Sequence, residues 1–102
     1  MTMLLKNHKE VIERLCRLHG VSRLEAFGSV ARGDAVPGSS DVDLLVAFQP
    51  STPEEHADRY FGLLAALQDE FDCPVDMVEM GAVRNPYFMR AIEEERTLLY
   101  AG

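Results

Sequence analysis

Apolar residues recur along this chain in two rhythms. From Leu4 to His19 the spacing is three and four, and Leu4, Leu5, Val11, Ile12, Leu15 and Leu18 mark one face of a helix. Gly20 follows at the position where a glycine commonly ends a helix. Arg23 to Phe27 and Asp41 to Phe48 are shorter apolar runs that predict strands. In the second run Val42, Leu44 and Val46 share one face, while Asp41, Asp43 and Leu45 share the other. Apolar residues on both faces predict a central strand covered on both sides. Helical spacing returns over Ser51 to Asp72, where Ala57, Phe61, Leu64, Leu67 and Phe71 predict a buried stripe widened by Leu63 and Tyr60. Thr52 and Glu55 have capping-box spacing, and Pro53 falls at the first helical position. Pro74 to Met80 predicts a third strand, with Val75, Met77 and Glu79 on one face and Asp76 and Val78 on the other.

Asn85 is placed to cap a third helix opening at Pro86, with Tyr87, Phe88, Ala91 and Ile92 as its apolar contacts. Glu93 to Glu95 and Arg96 form a charged run of the kind that covers a solvated face, and Thr97 to Tyr100 predicts a short final strand. Together these elements predict an α/β (α+β) fold, a small mixed β-sheet with helices packed on it, in a single domain over residues 1–102.

Composition narrows the setting. The apolar share is 47%, which suits a globular core, and the net charge is −7. Such an acidic balance argues against a nucleic-acid groove, which needs a basic footprint. It fits either ordinary solubility or an acidic surface turned toward a basic partner. The N-terminus MTMLLKNHKE lacks the apolar core of a signal peptide, and no stretch reads as a membrane span, so the expected location is cytoplasmic. Cys16 and Cys73 lie far apart with no CxxC pairing and read as reduced core thiols. His8 and His19 read as surface or boundary residues, and His56, in the first turn of its helix, as exposed.

The chemistry concentrates between Leu24 and Phe48, LEAFGSVARGDAVPGSSDVDLLVAF. Asp41 and Asp43 stand two apart on a strand, so their carboxylates project side by side. Two anions that close repel unless a cation lies between them, and Asp oxygens suit Mg²⁺. A solvated strand end is the alternative for an isolated pair. Gly28 permits backbone geometry that a side chain forbids, and Ser29 offers a hydroxyl and an N–H. Ser29 to Arg32 reads as a first helical turn whose free N–H groups form an anion site. Arg32 either reaches a bound triphosphate or pairs with Asp34 in solvent. A phosphate cradle beside paired carboxylates is what metal-assisted nucleotidyl transfer requires. Asp76, in the middle of a short apolar strand, is costly unless paired or metal-bound.

Gly28-Ser29, then residues 30–40, then Asp41-Val42-Asp43 resembles the signature of the DNA polymerase β-like nucleotidyltransferase superfamily. FGSVARGDA followed by SDVDLLV is similar to the minimal nucleotidyltransferase (MNT) antitoxins that are paired with HEPN-domain toxins. The resemblance implies catalytic, metal-holding roles for Asp41, Asp43 and Asp76, the last as the third-strand carboxylate, and nucleotide binding at Gly28, Ser29 and Arg32. It implies two Mg²⁺ ions, ATP as substrate, and transfer of AMP to a hydroxyl of a HEPN toxin. It also leaves room for a homodimer or a hetero-oligomer with the toxin. A non-catalytic antitoxin acting by contact, and a small-molecule transferase of the aminoglycoside-modifying kind, are the alternatives.

Overall fold

In the computed structural model, residues 8–28, 42–82, 86–93 and 96–102 are described. Leu4, Leu5, Ser29, Arg32, Asp34, Asp41 and Asn85 lie outside the described residues. The first helix, α1, spans Lys9–Leu18 and buries Ile12 and Cys16. Leu18, expected on that face, is 74% exposed. It lies roughly 120° round the helix from Ile12, and Cys16, about 40° away, fills the stripe instead. His19 closes the helix with its backbone N–H on the Leu15 carbonyl, and Gly20 turns the chain with φ +69°.

Strand β1 (Val21–Phe27) follows, then β2 (Val42–Phe48). Helix α2 (Pro53–Phe71) opens as the capping-box spacing requires: the Thr52 hydroxyl accepts the Glu55 N–H at 3.2 Å, with Pro53 first in the helix. Strand β3 (Val75–Glu79), a single 3₁₀ turn (Met80–Ala82), helix α3 (Pro86–Ile92) and strand β4 (Thr97–Ala101) complete the order.

The sheet runs β3-β2-β1-β4. β1 is antiparallel to β2 and to β4, and β2 is parallel to β3. A parallel pair needs a crossover, and α2 is that crossover, returning the chain across one sheet face. On this face α1 and α2 share the main core, in which Ile12, Cys16, Leu63 and Leu67 meet Leu24, Val42, Leu44 and Val46. Fully burying each such aliphatic side chain contributes roughly 1.5–3 kcal/mol. The opposite face carries a smaller cluster, Phe27, Leu45 and Ile92, with Val78, Met80, Phe88 and Met89 against it. Leu45 is buried there while Val46 is buried on the helix face, so β2 is covered on both sides as its pattern predicts.

Two predicted stripes are corrected. In α2 the buried residues are Leu63, Leu67 and Phe71, with Tyr60 and Leu64 beside them, and Phe61 is 65% exposed. The stripe centres on Tyr60, Leu64 and Leu67, from which Phe61 and Ala57 are rotated by about 100° and 60°. In α3, Ile92 is buried and Phe88 and Met89 pack against the small cluster, whereas Tyr87 and Ala91 are exposed. Among the described residues no helix is long and apolar enough to cross a membrane.

Candidate functional site

Register brings the chemistry together. Because β1 and β2 are antiparallel, the end of β1 meets the start of β2, and Phe27 pairs with Asp43. Because β2 and β3 are parallel, the start of β3 lies beside the start of β2, and Asp43 pairs with Asp76. Phe27, Asp43 and Asp76 thus form one row across the sheet, on the face that carries Leu45, Val78 and α3. Neighbouring strands lie about 4.8 Å apart, so the two aspartates stand side by side. Asp43 is half-buried and Asp76 is exposed. The predicted sharing of a face by Asp43 and Leu45, and by Asp76 and Val78, is what the strands adopt.

Gly28 continues directly from Phe27 with φ +70°, in the left-handed region that favours glycine. A Cβ placed there would come within 2.5 Å of Asp43 Oδ2. The backbone conformation therefore strains any residue with a side chain here, and a Cβ would also force the Asp43 carboxylate to shift. The Gly28 backbone lies close against the Asp43 side chain. Ser29, Arg32 and Asp41, the remaining residues expected here, lie outside the described residues.

The donors at hand are carboxylate oxygens, which suit a hard cation such as Mg²⁺. Among the described residues no three metal-ligating side chains converge; the carboxylate row holds two, Asp43 and Asp76. Glu79, the other acid on β3, belongs to the opposite face. Its carboxylate accepts a hydrogen bond from His56 Nε2 in the first turn of α2. His56, expected to be exposed, is half-buried and edge-on to Phe48 at 5.2 Å. Tyr60 donates its hydroxyl to the Met77 carbonyl at 2.6 Å. Burial pushes that phenol's pKa up, and the charges of Glu79 and Asp76 push it further. Cys16 carries a free, buried thiol. The Cys16 thiol is pushed up to about 12, chiefly by burial and then by Glu13, so it stays protonated and inert as a nucleophile.

Sequence reasoning missed Glu25. It is 3% exposed, yet it lies on the same sheet face as Phe27 and Asp43, paired across the ladders with Leu45 and Leu98. Arg96 grips it with two parallel bonds, Nε to Oε1 at 2.9 Å and Nη2 to Oε2 at 2.8 Å, and Arg23 Nε adds a third at 2.8 Å. The Arg96 bonds hold the Glu25 carboxyl below the usual carboxylate range, outweighing the burial that raises it. Arg96, expected on a solvated face, is a half-buried ion-pair partner. The signal was present: Glu25 interrupts LEAF as Asp76 interrupts PVDMV. Its partner is 71 positions away, and no local pattern names it.

Comparison with known proteins identifies the family and the fold. Residues 8–99 match the model of the nucleotidyltransferase domain family. A Methanocaldococcus jannaschii protein named "Putative protein adenylyltransferase" is 34% identical over 92 residues, spanning 90% of this chain and 87% of the relative. The solved "Structure of putative minimal nucleotidyltransferase" superposes with a TM-score of 0.70 at 36% identity, over 91% of this chain and 90% of that one. A tri-AMPylated Shewanella oneidensis HEPN toxin in complex with MNT antitoxin offers a chain with a TM-score of 0.65 at 16% identity, over 96% of this chain and 73% of that one, a likeness of fold. With its four-stranded mixed sheet and the Asp43–Asp76 row at one end, this chain belongs to the nucleotidyltransferase domain family and has the minimal nucleotidyltransferase fold.

Proposed function

We propose that this chain is a Mg²⁺-dependent nucleotidyltransferase that moves AMP from ATP to a hydroxyl of a partner protein, a HEPN-type toxin, and so acts as an antitoxin. The observation that carries the reading is the Asp43–Asp76 pair beside Gly28, whose backbone, at φ +70°, lies against the Asp43 carboxylate. Residues 1–102 act as one minimal domain in the cytoplasm. The protein-adenylyltransferase relative and the MNT–HEPN neighbour support the choice of acceptor.

In this reading the triphosphate lies along Gly28, Ser29 and Arg32. Asp41, Asp43 and Asp76 would hold two Mg²⁺ ions, which would supply Lewis acidity toward the α-phosphate and neutralise charge on the leaving group. Asp43, the register partner of Phe27, is the half-buried member of the pair. Asp76, which is exposed, is the carboxylate assigned to the acceptor side. The acceptor oxygen bonds to the α-phosphorus, the bond from that phosphorus to the bridging oxygen breaks, and pyrophosphate departs. The acceptor proton passes to Asp76. The acid excess of the chain, 17 Asp and Glu against 10 Lys and Arg, supports electrostatic docking of a basic partner surface.

The test is incubation of a HEPN-type toxin with this chain, ATP and Mg²⁺, followed by intact-mass spectrometry. The expected result is addition of one or more AMP groups and a toxin that stays inactive after this chain is removed. Silencing at equal stoichiometry without a mass change would replace transfer by neutralisation through contact. An unmodified, unbound toxin together with adenylylation of a hydroxylated small molecule would replace both.

A further inference from the structure

Among the described residues Glu25 is the buried charged side chain. Arg23 bonds it from the same strand, and its two bonds to Arg96 tie β1 to the segment that follows α3. It sits two residues before Phe27 on the same face of β1, and Phe27 is the register partner of Asp43. Its principal partner, Arg96, joins α3 to β4, and the Arg96 backbone N–H bonds the Ile92 carbonyl at 3.0 Å, continuing the end of α3. α3 in turn covers the end of β1: Ile92 is buried with Phe27 and Leu45, and Phe88 meets Phe27 edge-on with ring centroids 5.8 Å apart.

A helix of seven residues is too short to hold itself in water. Its place is set by what grips it, and here the grip is three apolar side chains plus one buried, bidentate ion pair. A planar guanidinium fork on a carboxylate is directional, whereas apolar contacts allow sliding. Truncating one partner of a buried pair strands the other. Nothing in the proposed transfer uses Glu25 or Arg96 directly.

We propose that Glu25 and Arg96 are positioning residues, a clamp that seats α3 and the end of β1 so that Gly28 stays against Asp43. The inference rests on the nucleotidyltransferase reading for its effect on rate, and on the fold alone for its effect on α3. A misplacement of about 1 Å relayed to reacting groups can cost on the order of a hundredfold in rate.

The test compares the full-length chain with Glu25→Gln and with Arg96→Lys, which keeps the charge and loses the fork. Two quantities are read: amide hydrogen exchange over residues 25–28 and 86–93, and kcat and KM for nucleotide transfer. The expected result for both variants is faster exchange in both segments, kcat lowered tenfold or more, and KM for the nucleotide within threefold. A kcat within twofold of wild type in a folded variant would make the pair merely structural and overturn the proposal. Exchange at wild-type rates in both segments would overturn the clamp itself. If Glu25→Gln fails to fold, Arg96→Lys decides. If the wild-type chain transfers nothing to any acceptor, the proposed function falls, and the exchange data still decide whether the clamp holds α3.

Discussion

Asp43 on β2 stands directly opposite Asp76 on β3, register partners on parallel strands. Side by side, the two carboxylates repel, and a neutral amide at either place relieves that repulsion while losing a cation ligand. Asp43→Asn is expected to lower transfer at least a hundredfold and to melt at or above the wild-type temperature in chelator. It should also gain less from Mg²⁺ and ATP, since a ligand raises stability only as far as it binds the native state. Melting curves with and without Mg²⁺·ATP check this, and an equal gain in variant and wild type would remove Asp43 from the site.

Gly28→Ala is expected to be costly in both fold and rate. The left-handed backbone costs a non-glycine residue about 1–2 kcal/mol, and the new methyl would meet Asp43 Oδ2 at 2.5 Å. Gly81→Ala is the matched control, because a Cβ there meets nothing within 4 Å. The expected shift for the control is within about 0.5 kcal/mol. Denaturant midpoints and transfer rates for the two variants check the contrast.

Glu79→Gln separates the two acids of β3. Glu79 bonds His56 on the α2 face, away from the Asp43–Asp76 row. A partly exposed pair of this kind contributes up to about 1 kcal/mol. Stability should fall by no more than that, with transfer staying within twofold. A hundredfold loss would show that Glu79, rather than Asp76, serves the chemistry.

The Glu25 ion pair should leave a signature in acid. Its carboxyl pKa is lowered from the ordinary value of 4.5 in the folded chain. Below 4.5 the unfolded chain binds the proton first, so the pair's stabilisation is complete above that pH and is lost as pH falls toward the folded value. Breaking such a pair costs about 3 kcal/mol at neutral pH. The melting-temperature gap between wild type and Glu25→Gln should be constant from pH 6 to 8 and narrow below pH 4.5. The remaining carboxylates titrate in both proteins and cancel. A gap that widens in acid would contradict the assigned direction.

Much of this protein was determined locally by its sequence. The alternation of Val42, Leu44 and Val46 against Asp43 and Leu45 is a period of two, and a strand has no other way to place it. Thr52, Pro53 and Glu55 define the start of α2 through a side-chain-to-backbone bond three residues long, and Gly20 and Gly28 occupy turns with positive φ. The resemblance read from the Gly28-Ser29 and Asp41-Val42-Asp43 signature agrees with the family match over residues 8–99.

What only the tertiary structure decided is whatever depends on which element lies beside which. Periodicity placed the α2 stripe about 40° off, because Phe61 and Leu63 are equally apolar and only the contour of the sheet chooses Leu63. It put Glu79 and Asp76 on opposite faces of β3, and the helix covering one face, together with His56, decided that Glu79 is paired away from the row. Above all, it gave no hint that Arg96 reaches Glu25. Burial of a carboxylate demands a partner, but the partner is supplied by whichever chain segment the fold returns to that spot, and no local pattern carries that address.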